Sequence, residues 1–141
     1  MKEICDGACL MNPTSYLLVA VGGAIGSVGR AWVGIAAARL FGLGFPWGTM
    51  IINILGSAII GIIAATALSP SRTILSPEIR IFLMVGFCGG FTTFSSFSLQ
   101  TFELLRDGRP GAALANIVAS VVLCIAATAA AYLGTASLVP R

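Results

Sequence analysis

Gly86-Phe87-Cys88-Gly89-Gly90-Phe91-Thr92-Thr93-Phe94-Ser95-Ser96-Phe97-Ser98 lies in the middle of a long apolar stretch and does not read as ordinary helix. Glycine in a helix interior costs about 1 kcal/mol relative to alanine. Threonine and serine side chains bond to the backbone in competition with the helical ladder. The run therefore predicts a helix break around residues 89–93. Irregular backbone survives at bilayer depth only inside protein or beside a water-filled cavity. The break is expected at mid-membrane, in the centre of a bundle. The plainer alternative is a continuous helix whose small residues pack against neighbours.

Working outward, the chain has the composition of a membrane protein. Of its 141 residues 57% are hydrophobic, a further 17 are glycine, and only 9% are charged. A soluble domain carries about 25% charge. Thirteen charged residues cannot cover a core of this size, and a disordered chain needs the opposite composition. A spanning helix takes about 20 residues. The apolar stretches fall at about 16–40, 47–68, 78–106 and 110–135, so residues 1–137 read as one four-helix transmembrane domain. Pro46, Ser69-Pro70, Pro77 and Pro110 punctuate them, as proline opens helices and stops preceding ones. Short loops make successive spans antiparallel. The first stretch reads as a retained span, not a signal peptide. Leu138-Val139-Pro140-Arg141 looks like the remnant of a thrombin-cleavable tag and is set aside from the charge count.

Charge leaves the orientation open. With the N-terminus on side one, Lys2, Arg72 and Arg80 lie there, and Arg39, Arg106 and Arg109 lie on side two. Lys and Arg normally concentrate on the cytoplasmic side. The count here is three against three. Two chains inserted in opposite senses would pair about a twofold axis in the membrane plane. Local charge effects that fix a single orientation are the alternative.

The chemistry is that of neutral groups. There is no His, the only Lys is Lys2, and no Asp or Glu lies in the middle of a span; Glu103 and Asp107 sit at the end of the third. That disfavours proton-coupled transport and leaves no nucleophile–base pair for an enzyme. Basic residues form no run, so nucleic acid is not an expected partner. Cys88 and Cys124 read as small buried hydrophobes, and Cys5 and Cys9 as a weak metal motif. Asn53 in the second span needs hydrogen-bonding partners and faces either a pore or another helix. Asn116, Ser120, Cys124 and Thr128 recur every four residues and form one face of the fourth span, which is either a helix contact or, the preferred reading, a wall of a water-filled path. Phe94 and Phe97 flank the break, and aromatic ring edges are positive. Phe82, Phe87, Phe91 and Phe102 read as packing. Donors without fixed charge suit passage of an anion, since conduction needs weak, multiple sites. The residues alone leave the ion unnamed.

Three stretches resemble the Fluc family of fluoride channels, also called CrcB. Gly22-Gly23-Ala24-Ile25-Gly26-Ser27-Val28-Gly29-Arg30 resembles its GGxxGxxxR signature. Pro46-Trp47-Gly48-Thr49, continuing to Asn53 and Gly56, is similar to its PxGTxxxNxxG, and residues 86–98 to its GxxGGxTTFSTFS. Ser96 stands where the family often has Thr, and Gln100 where Glu is common. The resemblance implies a dual-topology antiparallel homodimer in the bacterial inner membrane. It would let fluoride out passively through two pores and so protect the cell. It also implies pore residues Asn53, Phe94, Phe97, Ser96 and Ser120, with Arg30 near a pore mouth. A structural sodium ion would be held at the twofold axis by the backbone carbonyls of Gly89 and Thr92. Freed carbonyls at a break suit that role, because hard cations take oxygen ligands. A pore-less membrane assembly or accessory protein is the reading from another class.

Overall fold

The computed structural model describes residues 12–67 and 75–138. Residues 1–11, with Lys2, Cys5 and Cys9, and residues 139–141 of the tag-like tail lie outside this description, as does Arg72. The described residues are all helical apart from turns. Helix α1 is Pro13–Phe41 and α2 is Trp47–Ala67. Helix α3 covers residues 77–91: one turn at Pro77–Arg80, a π-helical stretch at Ile81–Cys88 and a last turn at Gly89–Phe91. Helix α4 is Phe94–Arg106 and α5 is Pro110–Leu138. Four runs, with α3 and α4 taken together as Pro77–Arg106, are long and apolar enough to cross a membrane.

Local chemistry sets the ends. Asn12 caps α1, its side chain accepting from the Ser15 amide at 2.9 Å, with Pro13 in the first turn. Asn-Pro is a cap-and-start signal, which is why α1 begins three residues before the expected Tyr16. Helix α1 stops at Gly42, at φ 76°, whose amide donates to the Ala38 carbonyl. Gly108, at φ 71°, turns the chain between α4 and α5. Both glycines adopt a backbone that other residues avoid. Helix α5 runs to Leu138, past the expected end near 135.

The helices pack in a definite order: α1 against α3, α2 against α5 and α1, and α4 against α5. Glycine makes the α1–α3 crossing possible. A Cβ on Gly22 would sit 2.6 Å from the Phe82 carbonyl oxygen and 3.0 Å from the Phe87 amide nitrogen. Gly26 and Gly90 meet the facing backbone just as closely. Small residues at such crossings let backbones approach where lipid offers no hydrophobic drive. In the α2–α5 crossing, a Cβ on Gly61 would lie 2.6 Å from the Thr128 carbonyl oxygen, and the Thr128 hydroxyl donates to the Ser57 carbonyl at 3.0 Å. Outward faces are apolar, with Trp32, Val28, Ile125 and Leu133 among many exposed large side chains. At one end, Arg109 Nη1 donates to the Gly44 carbonyl at 2.7 Å, tying the α1–α2 and α4–α5 loops together.

Candidate functional site

The site is built around the junction of α3 and α4. Thr92 (φ −80°, ψ 159°) and Thr93 (φ −153°, ψ 109°) are extended, whereas Gly89–Phe91 remain helical. Gly90 therefore marks close packing on Gly23 of α1, and neither it nor Gly89, which has open space beside it, marks loss of helix. What holds Thr93 extended is Asn53 on α2. The Thr93 amide donates to Asn53 Oδ1 at 2.9 Å, and Asn53 Nδ2 donates to the Thr93 carbonyl at 3.2 Å. The side-chain amide thus pairs with the Thr93 peptide as a neighbouring strand would. Thr93 then caps α4, its hydroxyl oxygen accepting from the Ser96 amide at 3.2 Å.

These bonds bear directly on two carbonyls. A continuous helix would send the Thr93 amide to Gly89 and the Ser96 amide to Thr92. Both amides are taken by side chains instead, by Asn53 and Thr93 respectively. The Cys88 carbonyl, by contrast, receives both the amide and the hydroxyl of Thr92, each at 2.9 Å.

Beside the junction lies a groove of about 430 Å³. It gathers Asn53, Gly89, Thr92, Phe94, Phe97 and Ser120. Apart from the thiols of Cys88 and Cys124, no lining side chain can carry charge. The rings of Phe94 and Phe97 are 5.4 Å apart and tilted by 43°. Phe94 is 78% exposed, so the outer wall of the groove is open.

Ser96 and Arg30 are elsewhere. They line a second cavity of about 410 Å³ with Gln100, Glu103, Asp107 and Arg109. Two guanidinium groups and two carboxylates share that cavity, so its charge is balanced. Thr93 lines both spaces and is the wall between them. Gln100 Oε1 is buried with no hydrogen-bond partner among the described residues.

The every-fourth-residue stripe on α5 divides. Ser120 and Cys124 reach the groove, while Thr128 bonds to α2. Asn116 is 1% exposed, lies outside the groove and donates to Thr101 Oγ1 at 2.8 Å. Its place is in a helix contact, correcting the expectation that the whole stripe walls a path. Sequence reading missed Thr93 and Thr101. The Thr-Thr pair pointed to the first; nothing but its position four residues after Phe97 pointed to the second.

Comparison with known proteins agrees with this reading. The family described as CrcB-like protein, Camphor Resistance (CrcB), matches residues 17–134. A relative from Opitutus terrae, named fluoride-specific ion channel FluC, is 51% identical over 112 residues, covering 79% of this chain and 85% of the relative. One from Nitrobacter hamburgensis, named fluoride-specific ion channel FluC 1, is 52% identical over 117 residues, covering 83% and 91%. Another FluC, from Gluconobacter oxydans, is 46% identical over 124 residues, covering 87% and 85%. With a match of this extent on a four-span, multi-pass membrane architecture, the chain belongs to the CrcB-like protein family.

Proposed function

We propose that this chain is the subunit of a fluoride channel that lets the anion leave a bacterial cell passively across the inner membrane and so protects it from fluoride toxicity. The observation that carries the reading is the uncharged groove where Asn53, Phe94, Phe97 and Ser120 meet. The names of the relatives support fluoride as the ion. Those names also place the family among ion channels and not enzymes.

The groove has the donors that a small, strongly hydrated anion needs. Asn53 Nδ2 has two hydrogens, and the Thr93 carbonyl takes one. The other is free for an anion. The edges of the Phe94 and Phe97 rings add weak positive charge. Without a cationic side chain in the groove the anion is passed on and not captured. Ser96 and Arg30 belong to the neighbouring cavity, the mouth of this path in our reading, with Thr93 at the neck.

A second copy in the opposite orientation would close the open wall at Phe94 and complete two separate pores. Such an interface is isologous. The Gly89 and Thr92 carbonyls, their helical donors taken by Asn53 and Thr93, are suited to a sodium ion at the twofold axis. These two carbonyls would hold the ion, which would supply a fixed positive charge there. The ion is structural, not cargo.

Expression in a bacterial strain lacking its own fluoride export tests the reading. Growth on fluoride should be restored by this chain and not by a Phe94→Ile variant present in the membrane at equal amount. Failure of the unaltered, membrane-inserted chain to protect would favour the pore-less assembly protein.

A further inference from the structure

Asn116 is the one large side chain below 2% exposure among the described residues, on a helix whose Leu114, Ile117, Val118 and Val121 are all exposed. It sits inside a one-way chain of hydrogen bonds. The Ser120 hydroxyl donates to Asn116 Oδ1 at 3.4 Å, Asn116 Nδ2 donates to Thr101 Oγ1 at 2.8 Å, and the Thr101 hydroxyl donates to the Phe97 carbonyl at 2.7 Å. Both ends of the chain, Ser120 and Phe97, line the groove; Asn116 and Thr101 do not. A serine hydroxyl has one hydrogen. Ser120 gives its hydrogen to Asn116, so it cannot donate to the groove at the same time. The Ser120 bond is also the longest of the three and therefore the weakest.

We propose that Asn116 is a positioning residue for anion passage. Its amide oxygen is the resting acceptor of the Ser120 hydroxyl, which rotates to an anion in the groove and returns when the anion moves on. Its amide hydrogen anchors, through Thr101, the turn of α4 that carries Phe97. This inference rests on the reading of the groove as an anion path. A competing acceptor makes Ser120 a reversible donor, and a weak, reversible site is what conduction needs. The two shorter bonds hold Phe97 in place while Ser120 turns.

The experiment is fluoride efflux from proteoliposomes holding the whole protein, with leak from protein-free vesicles subtracted. Three variants are compared: Asn116→Asp, Asn116→Leu and Thr101→Val. A protonated aspartate keeps the pattern of one acceptor and one donor that asparagine has. An ionised one keeps only acceptors, draws both neighbouring hydroxyl hydrogens and repels the anion. The two forms are sampled by measuring at pH 5.5 and at pH 8. Of the helices packed on α5, α2 carries no titratable side chain and α4 carries Glu103 and Arg106, while α5 itself carries Cys124 and Tyr132. We expect unaltered protein to conduct equally at pH 5.5 and 8. The Asn116→Asp variant should conduct at pH 5.5 and lose at least tenfold at pH 8, with the same elution on size exclusion at both. Asn116→Leu, which leaves the Ser120 hydroxyl no resting acceptor and frees the Phe97 turn, should lower the maximal fluoride efflux rate severalfold, and Thr101→Val, which frees only the turn, should lower it less. When Ser120 is already alanine, the further loss from Asn116→Leu should shrink to that of Thr101→Val, since only the anchor to Phe97 is then left to lose.

Absence of efflux from unaltered protein defeats the channel reading itself. Normal efflux from unaltered protein with Asn116→Leu indistinguishable from it overturns the inference alone. So does an Asn116→Leu effect that persists in full in the Ser120→Ala background. Should Asn116→Asp fail to assemble, the Leu and Val variants decide the matter on the same two criteria.

Discussion

Replacing Asn53 by leucine probes the junction most sharply. The change keeps the branched shape and the number of heavy atoms and removes both bonds to the Thr93 peptide, at 2.9 and 3.2 Å. Side-chain hydrogen bonds between membrane helices average about 0.6 kcal/mol, so the pair is worth about 1 kcal/mol. The greater cost lies in the groups left behind. Thr93 is 7% exposed, so water cannot replace Asn53 at its amide. A buried unpaired N–H costs about 1–3 kcal/mol. Together these come to about 2–4 kcal/mol if Thr93 stays extended. The alternative is that the Thr93 amide returns to the Gly89 carbonyl and the helix continues through. Stability is then largely spared, but the groove loses its shape and Gly89 its free carbonyl. Either route abolishes fluoride efflux. Thermal unfolding in detergent, run beside efflux, separates the two: a lowered midpoint marks the first, a near-normal one the second. Efflux and midpoint both equal to those of the unaltered protein would refute the argument that Asn53 holds the junction open.

Other expected outcomes follow from the same geometry. Gly22→Ala drives a methyl to within 2.6 Å of the Phe82 carbonyl oxygen and should cost about 1–3 kcal/mol by overpacking, whereas Gly134→Ala, with nothing within 4 Å, should stabilise α5 by up to about 1 kcal/mol; thermal midpoints check both. Phe94→Ile and Phe97→Ile, which keep bulk but lose the ring quadrupole, should give folded protein with poor efflux, and the corresponding Met variants should suffer less. Equal behaviour of Ile and Met with loss of assembly would point to packing instead. Thr92→Ser should be tolerated, because the proposed sodium ligand there is a backbone oxygen, and efflux should fall when sodium is withheld throughout purification. Single cysteines placed in the 42–46 and 107–109 loops should label from both sides of the membrane if the chain inserts in two orientations; one-sided labelling would exclude that.

Much of this fold is written in what the sequence lacks. Thirteen charges in 141 residues leave no alternative to spans, and Pro13, Pro77 and Pro110 each stand at a helix start. The junction was legible as a region and not as residues. Composition pointed to the glycines at 89–90, but both stay helical, Gly90 making room for Gly23 of α1, while Thr92 and Thr93 extend because Asn53, 40 residues away, captures an amide. That capture is a tertiary event with no local signature. The π-helical stretch Ile81–Cys88 was likewise invisible, since its Ile, Leu, Met and Val favour no particular helical pitch. Asn53, Phe94, Phe97 and Ser120 line one groove, whereas Ser96, expected among them, lies across the Thr93 wall in the cavity that holds Arg30. Asn116 shared the spacing of Ser120 yet turns to α4, because Thr101 offers its buried amide a partner.

The central claim is that fluoride crosses the membrane through this protein. A fluoride-selective electrode recording release from potassium fluoride-loaded proteoliposomes, with potassium permeability supplied by an ionophore, measures it directly. The account predicts rapid fluoride release from vesicles holding the protein and retention of chloride in parallel vesicles. Retained fluoride in vesicles that contain folded protein, or chloride escaping as fast as fluoride, would contradict it.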